Sequence, residues 1–278
     1  MNKTLKKYLA VVFSNGILII FSLSCIFPII WMLYSSLKTS PEFNRSIITL
    51  PEKPVVTNYA DAFRISHMGT YFFNSLLNAA VSLVFVILFS FIIGYFICRF
   101  RFRGRSLITM LILFGMLIPI PSMLIPLFIQ FKNLGLIDQR FTLIIPYVAY
   151  GLPFSTFLVD SYLSGIPVGM EEAAVIDGSG FMRMLFTIVM PVCTPILLTI
   201  TILQFFSKWN EFPFALILVS DEKLKTIPLG LENFSSQYST NYPMKMAGLV
   251  LATIPVITVY AIFNKRIIEG MIAGAIKG

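Results

Sequence analysis

Four polar residues, Thr201, Gln204, Lys208 and Glu211, stand at spacings of 3, 4 and 3 in an otherwise apolar stretch. Such spacing puts them on one face of a helix. With Trp209 and Asn210 beside them, the stripe offers hydrogen-bond donors and acceptors and an aromatic surface, the chemistry that holds a polar solute. The alternative is a Lys208–Glu211 pair reaching outward to an aqueous interface, because ionisable groups at membrane depth are costly and face a cavity, a partner or water. Asn74 and Asn78, one helical turn apart, either line the same path or bond across helices. Asp160 is a further acidic group in apolar surroundings, close to an interface. A second cluster, Glu171, Glu172, Ala173, Ala174, Asp177 and Gly178, combines acidic residues, two small side chains and a glycine.

Other chemistries are poorly supplied. His67 is the one histidine, so a histidine-based triad or a two-histidine metal site would need another chain. Cys25, Cys98 and Cys193 lie far apart in or beside apolar runs, where cysteine acts as a small hydrophobe. No disulfide or zinc site is expected. There is no G-x-x-x-x-G-K-[ST] phosphate loop, so ATP and its magnesium are expected on another polypeptide, and no cofactor is expected on this one. An intramembrane enzyme would need a Ser/His, paired-Asp or metal constellation. One aspartate in an apolar run does not supply it.

The elements that must position these residues follow from composition. The 278 residues are 57% hydrophobic and 12% charged, against about 25% charged in soluble domains. Six stretches carry no charge at all: 8–37, 65–98, 106–131, 141–159, 184–207 and 246–264. A helix crosses a bilayer with about 20 mostly apolar residues. The chain therefore reads as an all-α membrane protein, one domain over 1–278 with six spans at about 11–34, 71–97, 106–130, 141–163, 190–218 and 246–264. A soluble enzyme is excluded. The net charge of +8 fits lysine and arginine gathered at anionic headgroups, so membrane lipid is the expected partner and nucleic acid is not. The first apolar run is too long for a signal-peptide core of about 7–15 residues, holds Pro28 and Trp31, and reads as an uncleaved span.

Lysine and arginine are almost evenly divided between the two sides, but their clusters are not. Arg99, Arg101, Arg103 and Arg105 crowd one short loop, which points to cytoplasmic termini and a multi-pass protein of the plasma membrane. Segments 35–70, 131–140 and 208–245 then face outward. Prolines at 119, 121, 126, 146, 153, 195, 213 and 255 interrupt four successive spans. Each removes a backbone donor and tends to kink its helix, either for packing alone or in a bundle that moves around a cavity. An inverted repeat, the mark of many secondary transporters, is not visible.

The cytoplasmic segment 164–189 is a short helix between two spans. Pro167 and Gly169 break the preceding helix, Glu171 and Glu172 suit a first turn, and Gly178 and Gly180 turn the chain. Glu172-Ala173-Ala174, three residues, Gly178, nine residues, then Ile188, Val189, Met190 and Pro191 match the E-A-A-x-x-x-G-x(9)-I-x-L-P pattern. The one departure is methionine for leucine at 190. In this the chain resembles the permease subunits of binding-protein-dependent ABC importers. F-N-S-L at 73–76, R-F-R-F-R-G-R at 99–105 and M-L-I-P-I-P-S-M-L-I-P-L-F at 116–128 are similar to the same family. W-N-E-F-P-F-A-L at 209–216 and I-A-G-A-I-K-G at 272–278 resemble its maltose-type second permease.

The resemblance implies the type I importer permease fold with six transmembrane helices. It also implies a transporter subunit rather than an enzyme. A second permease would complete the pathway for a sugar or oligosaccharide, an extracytoplasmic binding protein would deliver it, and two cytoplasmic ATPases would each receive one permease loop. Glu171, Glu172, Ala173, Ala174, Asp177 and Gly178 would couple this chain to its ATPase, with Ala173 and Ala174 against it. Asn74, Asn78, Gln204, Lys208, Trp209, Asn210 and Glu211 are candidates for the pathway, and segment 219–245 for the surface met by the binding protein. The alternatives are a non-sugar polar solute in the same importer class, or a secondary transporter. The topology is open to test: cysteine reporters are expected to place Ser46 and Ser236 outside and Arg103 and Gly178 inside. An external Gly178 would refute the reading, because its loop could not meet a cytoplasmic ATPase.

Overall fold

The computed structural model describes residues 3–65, 67–234 and 241–275, all helix, turn and loop without a strand. Ser236 and the last three residues of the glycine-rich tail lie outside the described residues, as do the side chains of Lys3, Lys6, Lys7, Lys265 and Arg266. Contacts divide the chain into two compact units. One comprises residues 1–68 with 231–254, the other 69–230 with 255–278.

The first unit opens with α1 (Lys3–Ser35), whose apolar window within Val11–Ser35 has a mean hydropathy of 2.4 and no buried residue. That is a surface suited to lipid or to another membrane helix. The chain then folds around Lys38. Its fully buried ammonium donates to the Ser46 carbonyl at 3.0 Å and the Ile47 carbonyl at 3.3 Å, and lies over the rings of Tyr34 and Phe43. Carbonyls and aromatic faces replace the water that this charge gave up. Thr39 and Glu42 form a capping box on the short α2 (Ser40–Arg45). Asn58, in α3 (Thr57–Ile65), donates to the carbonyls of Ser36 and Lys38, both at 2.8 Å.

The second unit is built on α4 (Met68–Arg99), 32 residues with a mean hydropathy of 2.7 over its apolar window. At a rise of 1.5 Å per residue it is about 48 Å long, and it contains no proline. The expected third span at 106–130 is not one helix. α5 (Arg105–Leu117) and α6 (Ile120–Asn133) meet at 102°. Pro119 disfavours helical geometry in the residue before it, and Ile118 is extended with φ −76° and ψ 115°.

α7 (Ile144–Leu163) follows with Pro153 inside it, and α8 (Gly169–Ile176) is the expected short loop helix. A single turn, α9 (Phe181–Arg183), leads into a π-helical stretch, Met184–Val189, and a further turn, α10 (Met190–Val192). Pro191 cannot supply the N–H that the carbonyl four residues back requires, and a widened turn absorbs the mismatch. After a 72° bend the chain continues as α11 (Thr194–Trp209).

The fifth span therefore begins earlier than expected and ends at Trp209 rather than 218. Residues Pro213–Leu218 form a separate α12. α13 (Ile227–Gly230) follows, and α14 (Tyr242–Ala275) runs beyond the expected end at 264. α1, α4 and α14 are uninterrupted helices long and apolar enough to span a membrane, and the two bent pairs bring the number to five. α7, 20 residues with two tyrosines in its first two turns and Asp160 near its end, supplies the sixth helix of spanning length.

The core of the second unit joins α4, α7, α8 and α11 through Val86, Phe91, Tyr95, Val159, Leu163, Ala174, Leu185 and Ile200. Small residues set how closely these helices approach, as is usual where lipid offers no hydrophobic driving force. A Cβ on Gly94 would stand 2.7 Å from Val159 Cγ1 and 3.2 Å from the Thr156 carbonyl. Gly94→Ile is accordingly expected to cost about 1–3 kcal/mol by overpacking, measured as lost thermal stability of the detergent-purified protein. Gly16→Ile, with nothing within 4 Å of the new Cβ, should leave stability unchanged.

Candidate functional site

α8 presents two faces. Glu171 and Ala174 are buried, whereas Glu172, Ala173, Val175 and Ile176 are exposed, Ile176 at 84%. Ala174 packs in the bundle core. It is not available for docking beside Ala173, contrary to expectation, because a helical step of 100° separates neighbouring residues.

Glu171 also turns inward. Its carboxylate accepts from the Tyr95 hydroxyl at 2.8 Å and from Arg99 Nε at 2.7 Å, while Arg99 Nη2 donates to the Ile166 carbonyl at 3.0 Å. The helix ends as its sequence implied. Gly178 has φ +78°, its N–H reaches the Val175 carbonyl at 3.0 Å, and the Ser179 N–H reaches the Ala174 carbonyl at 2.9 Å. This is a Schellman motif, which needs a left-handed residue where glycine is least strained. Asp177, at the C-cap, and Gly178 both face solvent.

The polar stripe is partly real. Gln204 and Lys208 are buried on α11, with Lys208 Nζ donating to Gln204 Oε1 at 2.6 Å. Gln204 Nε2 donates onward to Ser155 Oγ at 3.1 Å and to the Gly151 carbonyl at 3.3 Å on α7. Gly151 is the only residue type that leaves room here, since a Cβ would stand 2.8 Å from Gln204 Oε1.

Glu211 is not on the helical face, because α11 ends two residues before it. Its carboxylate takes the Tyr147 hydroxyl at 2.8 Å and the backbone N–H groups of Phe214 and Ala215 at the start of α12. Lys208 and Glu211 thus have different partners, and neither reaches outward as a pair. Trp209 is 2% exposed, stacked on Phe205 and edge-on to Phe72. It is core, not a platform for solute. Asn210 is exposed, and its side chain donates to the Phe206 carbonyl at 2.9 Å.

Asn74 is spoken for as well. Its amide donates to the carbonyls of Lys223 and Lys225 at 2.8 and 2.9 Å and accepts from Arg140 Nη1 at 2.7 Å. Asn78 keeps a buried, unpartnered Oδ1 beside a small recess lined by Asn74, Leu77 and Arg140. The larger space is a cleft of about 280 Å³ lined by Gly115, Met116, Tyr150, Phe154, Gln204 and Ser207.

Tyr150 and Phe154 join Gln204 there, although sequence reasoning did not select them. A signal existed, since Tyr147, Gly151 and Ser155 recur every four residues along α7, and Tyr150 and Phe154 run beside them at the same interval. Tyr95 and Arg99 were missed as partners of Glu171, because nothing in their local spacing joins them to a helix more than 70 residues away.

Comparison with known proteins accords with this architecture. Residues 86–272 match the family described as the binding-protein-dependent transport system inner membrane component. The chain is 35% identical to a sulfoquinovosyl glycerol transport system permease of Agrobacterium fabrum over 91% of its length and 89% of the relative's. It is 34% identical to a diacetylchitobiose uptake system permease of Streptomyces coelicolor, covering 95% and 88%. It is 33% identical to a trehalose/maltose transport system permease of Thermococcus litoralis, covering 94% of each. A bacterial ABC transporter for alginate import superposes with a TM-score of 0.83 at 24% identity, over 95% of this chain and 98% of that one, and shares its fold. With that family match and relatives above 30% identity along nearly their full length, the chain belongs to the inner-membrane permease components of binding-protein-dependent ABC importers.

Proposed function

We propose that this permease forms, with a second permease, the pathway for a sugar or oligosaccharide handed over by an extracytoplasmic binding protein. The whole chain, 1–278, acts as one plasma-membrane domain with both termini cytoplasmic. Segment 164–189 meets one of two cytoplasmic ATPases, which hold ATP and magnesium. Ala173, Glu172, Asp177 and Gly178 on the outward face of α8 make that contact, and Glu171 and Ala174 support it from within.

The observation that carries the sugar reading is the cleft against Gln204. Its walls bring the aromatic residues Tyr150 and Phe154 together with the polar residues Gln204 and Ser207. Sugars present hydroxyls for directional hydrogen bonds and C–H faces for aromatic contact, and binding sites of this kind are mostly apolar with a few placed polar groups. Lys208 fixes Gln204 Oε1, which leaves the amide orientation defined before solute arrives. The permeases of sulfoquinovosyl glycerol, diacetylchitobiose and trehalose/maltose systems support the same substrate class.

Two experiments test the reading. Gln204→Ala is expected to lower uptake of a radiolabelled malto-, chito- or arabino-oligosaccharide at least tenfold while leaving complex assembly and ATP hydrolysis nearly intact. Parallel loss of assembly would reduce Gln204 to a structural contact, and uptake of a non-sugar solute alone would favour the other importer class. Gly178→Asp is expected to abolish transport and weaken ATPase co-purification with membrane insertion unaffected, because a side chain at φ +78° strains the turn that ends α8. Normal import by that variant, with ATPases retained, would refute the coupling role. Import that continues without ATP would instead support a secondary transporter.

A further inference from the structure

α4 is tied at both ends. Its cytoplasmic end holds the coupling segment, through Tyr95 and Arg99 to Glu171 on α8 and through Arg99 to the Ile166 carbonyl on the segment leading into α8. Arg99 and Glu171 side chains are each only 11% exposed, so water competes weakly and charge-assisted bonds at such distances are strong. At the opposite end the same helix holds the segment after α12. Tyr71 donates to Glu222 at 2.7 Å, Asn74 to the carbonyls of Lys223 and Lys225, and the Ile227 N–H donates to Ser75 Oγ at 2.9 Å.

Between these ends the helix is unbroken. α1, α7 and α14 each contain an internal proline, and the α5–α6 and α10–α11 spans are bent at 102° and 72°. Among the described helices of spanning length, α4 alone has neither. A continuous ladder of backbone bonds resists bending, whereas a proline or a break supplies a hinge.

The chain around α8 is, by contrast, compliant. Gly165 and Pro167 precede it, Gly169 opens it, and Gly178 and Gly180 follow it, and a helix of about two turns is marginal by itself. Displacement of α8 is therefore passed on by its buried side chains, the bonded Glu171 and the packed Ala174, more than by the backbone on either side.

We infer that α4 is a strut: the Glu171–Arg99–Tyr95 junction fastens it to the ATPase-coupling helix, and the Tyr71, Asn74 and Ser75 contacts fasten it to the 222–227 segment. Movement of α8 on ATP binding is then delivered, undamped, to the segment on the side where solute is delivered. The inference rests on the permease reading and adds the route by which one side of the protein informs the other. Arg99 and Tyr95 act as positioning residues through Glu171, and Ser75 as one through the Ile227 N–H.

The test uses the complete importer, with its second permease and ATPases, in proteoliposomes, and reads the stimulation of Mg-ATP hydrolysis by the purified binding protein. Arg99→Lys keeps the charge but loses the planar fork that serves Glu171 and Ile166 together. Tyr95→Phe and Ser75→Ala remove one bond each. Stimulation is expected to fall at least fivefold in Arg99→Lys and at least twofold in Tyr95→Phe and Ser75→Ala. Unstimulated hydrolysis and ATPase co-purification should stay within error of wild type, and melting temperature should fall by only a few degrees without ranking the variants as stimulation does. Stimulation undiminished at either end overturns the strut, as does a loss that tracks melting temperature. Stimulation of the wild-type importer upholds the permease reading whichever way the variants fall, so the two conclusions fail separately.

Discussion

In an apolar surrounding no backbone N–H or carbonyl can turn to water, and every one left open costs several kcal/mol. That constraint governs the arrangement of this permease. It makes the long segments helical and turns each proline into a structural event that neighbouring groups must repair. At Pro119 the repair is a full bend, with α6 starting afresh. At Pro191 it is a π-turn, at Pro153 a helix that continues, and at α4 nothing needs repair. The positions of stiffness and compliance in the bundle follow from that one requirement.

Polar side chains obey the same rule, and here it pairs them with one another and with open backbone groups. Asn74, Lys208 and Glu211 look alike in an apolar sequence, yet each finds its partners inside the second unit. Glu211 caps α12 and receives Tyr147, and Asn74 gathers Arg140 and two carbonyls. Gln204, buried and held by Lys208, Ser155 and Gly151, differs only in bordering a cleft. A side chain held in one orientation at the wall of a cleft loses little further freedom when its surroundings change.

The α8 segment does two things in eight residues. Its exposed face carries the small Ala173, and its buried face grips the bundle through Glu171 and Ala174. Ala173 and Ala174 serve opposite sides, although adjacent and identical in type. The same division separates Glu172 from Glu171. An acidic pair at a helix start reads as dipole stabilisation. In the folded chain one member is instead a buried anchor for Arg99 and Tyr95.

What the sequence determined by itself was whatever depends on local composition and fixed spacing. Uncharged runs specify membrane helices, the glycine after α8 specifies its end, and E-A-A with its distant glycine and proline specifies the family. Helix boundaries beside proline were less legible: 106–130 and 190–218 read as continuous apolar stretches, because hydropathy does not register a missing donor. Tertiary structure alone decided which polar residues face space and which face each other. Gln204 and Trp209 are equally plausible solute contacts along a helix, and only the close approach of Gly151 on α7 and the rings of Phe72 and Phe205 separates them. The pairing of Glu171 with Arg99 likewise spans 72 residues. It exists because α4 and α8 pack into one core, where a buried carboxylate must find a cation, and no local pattern encodes which one.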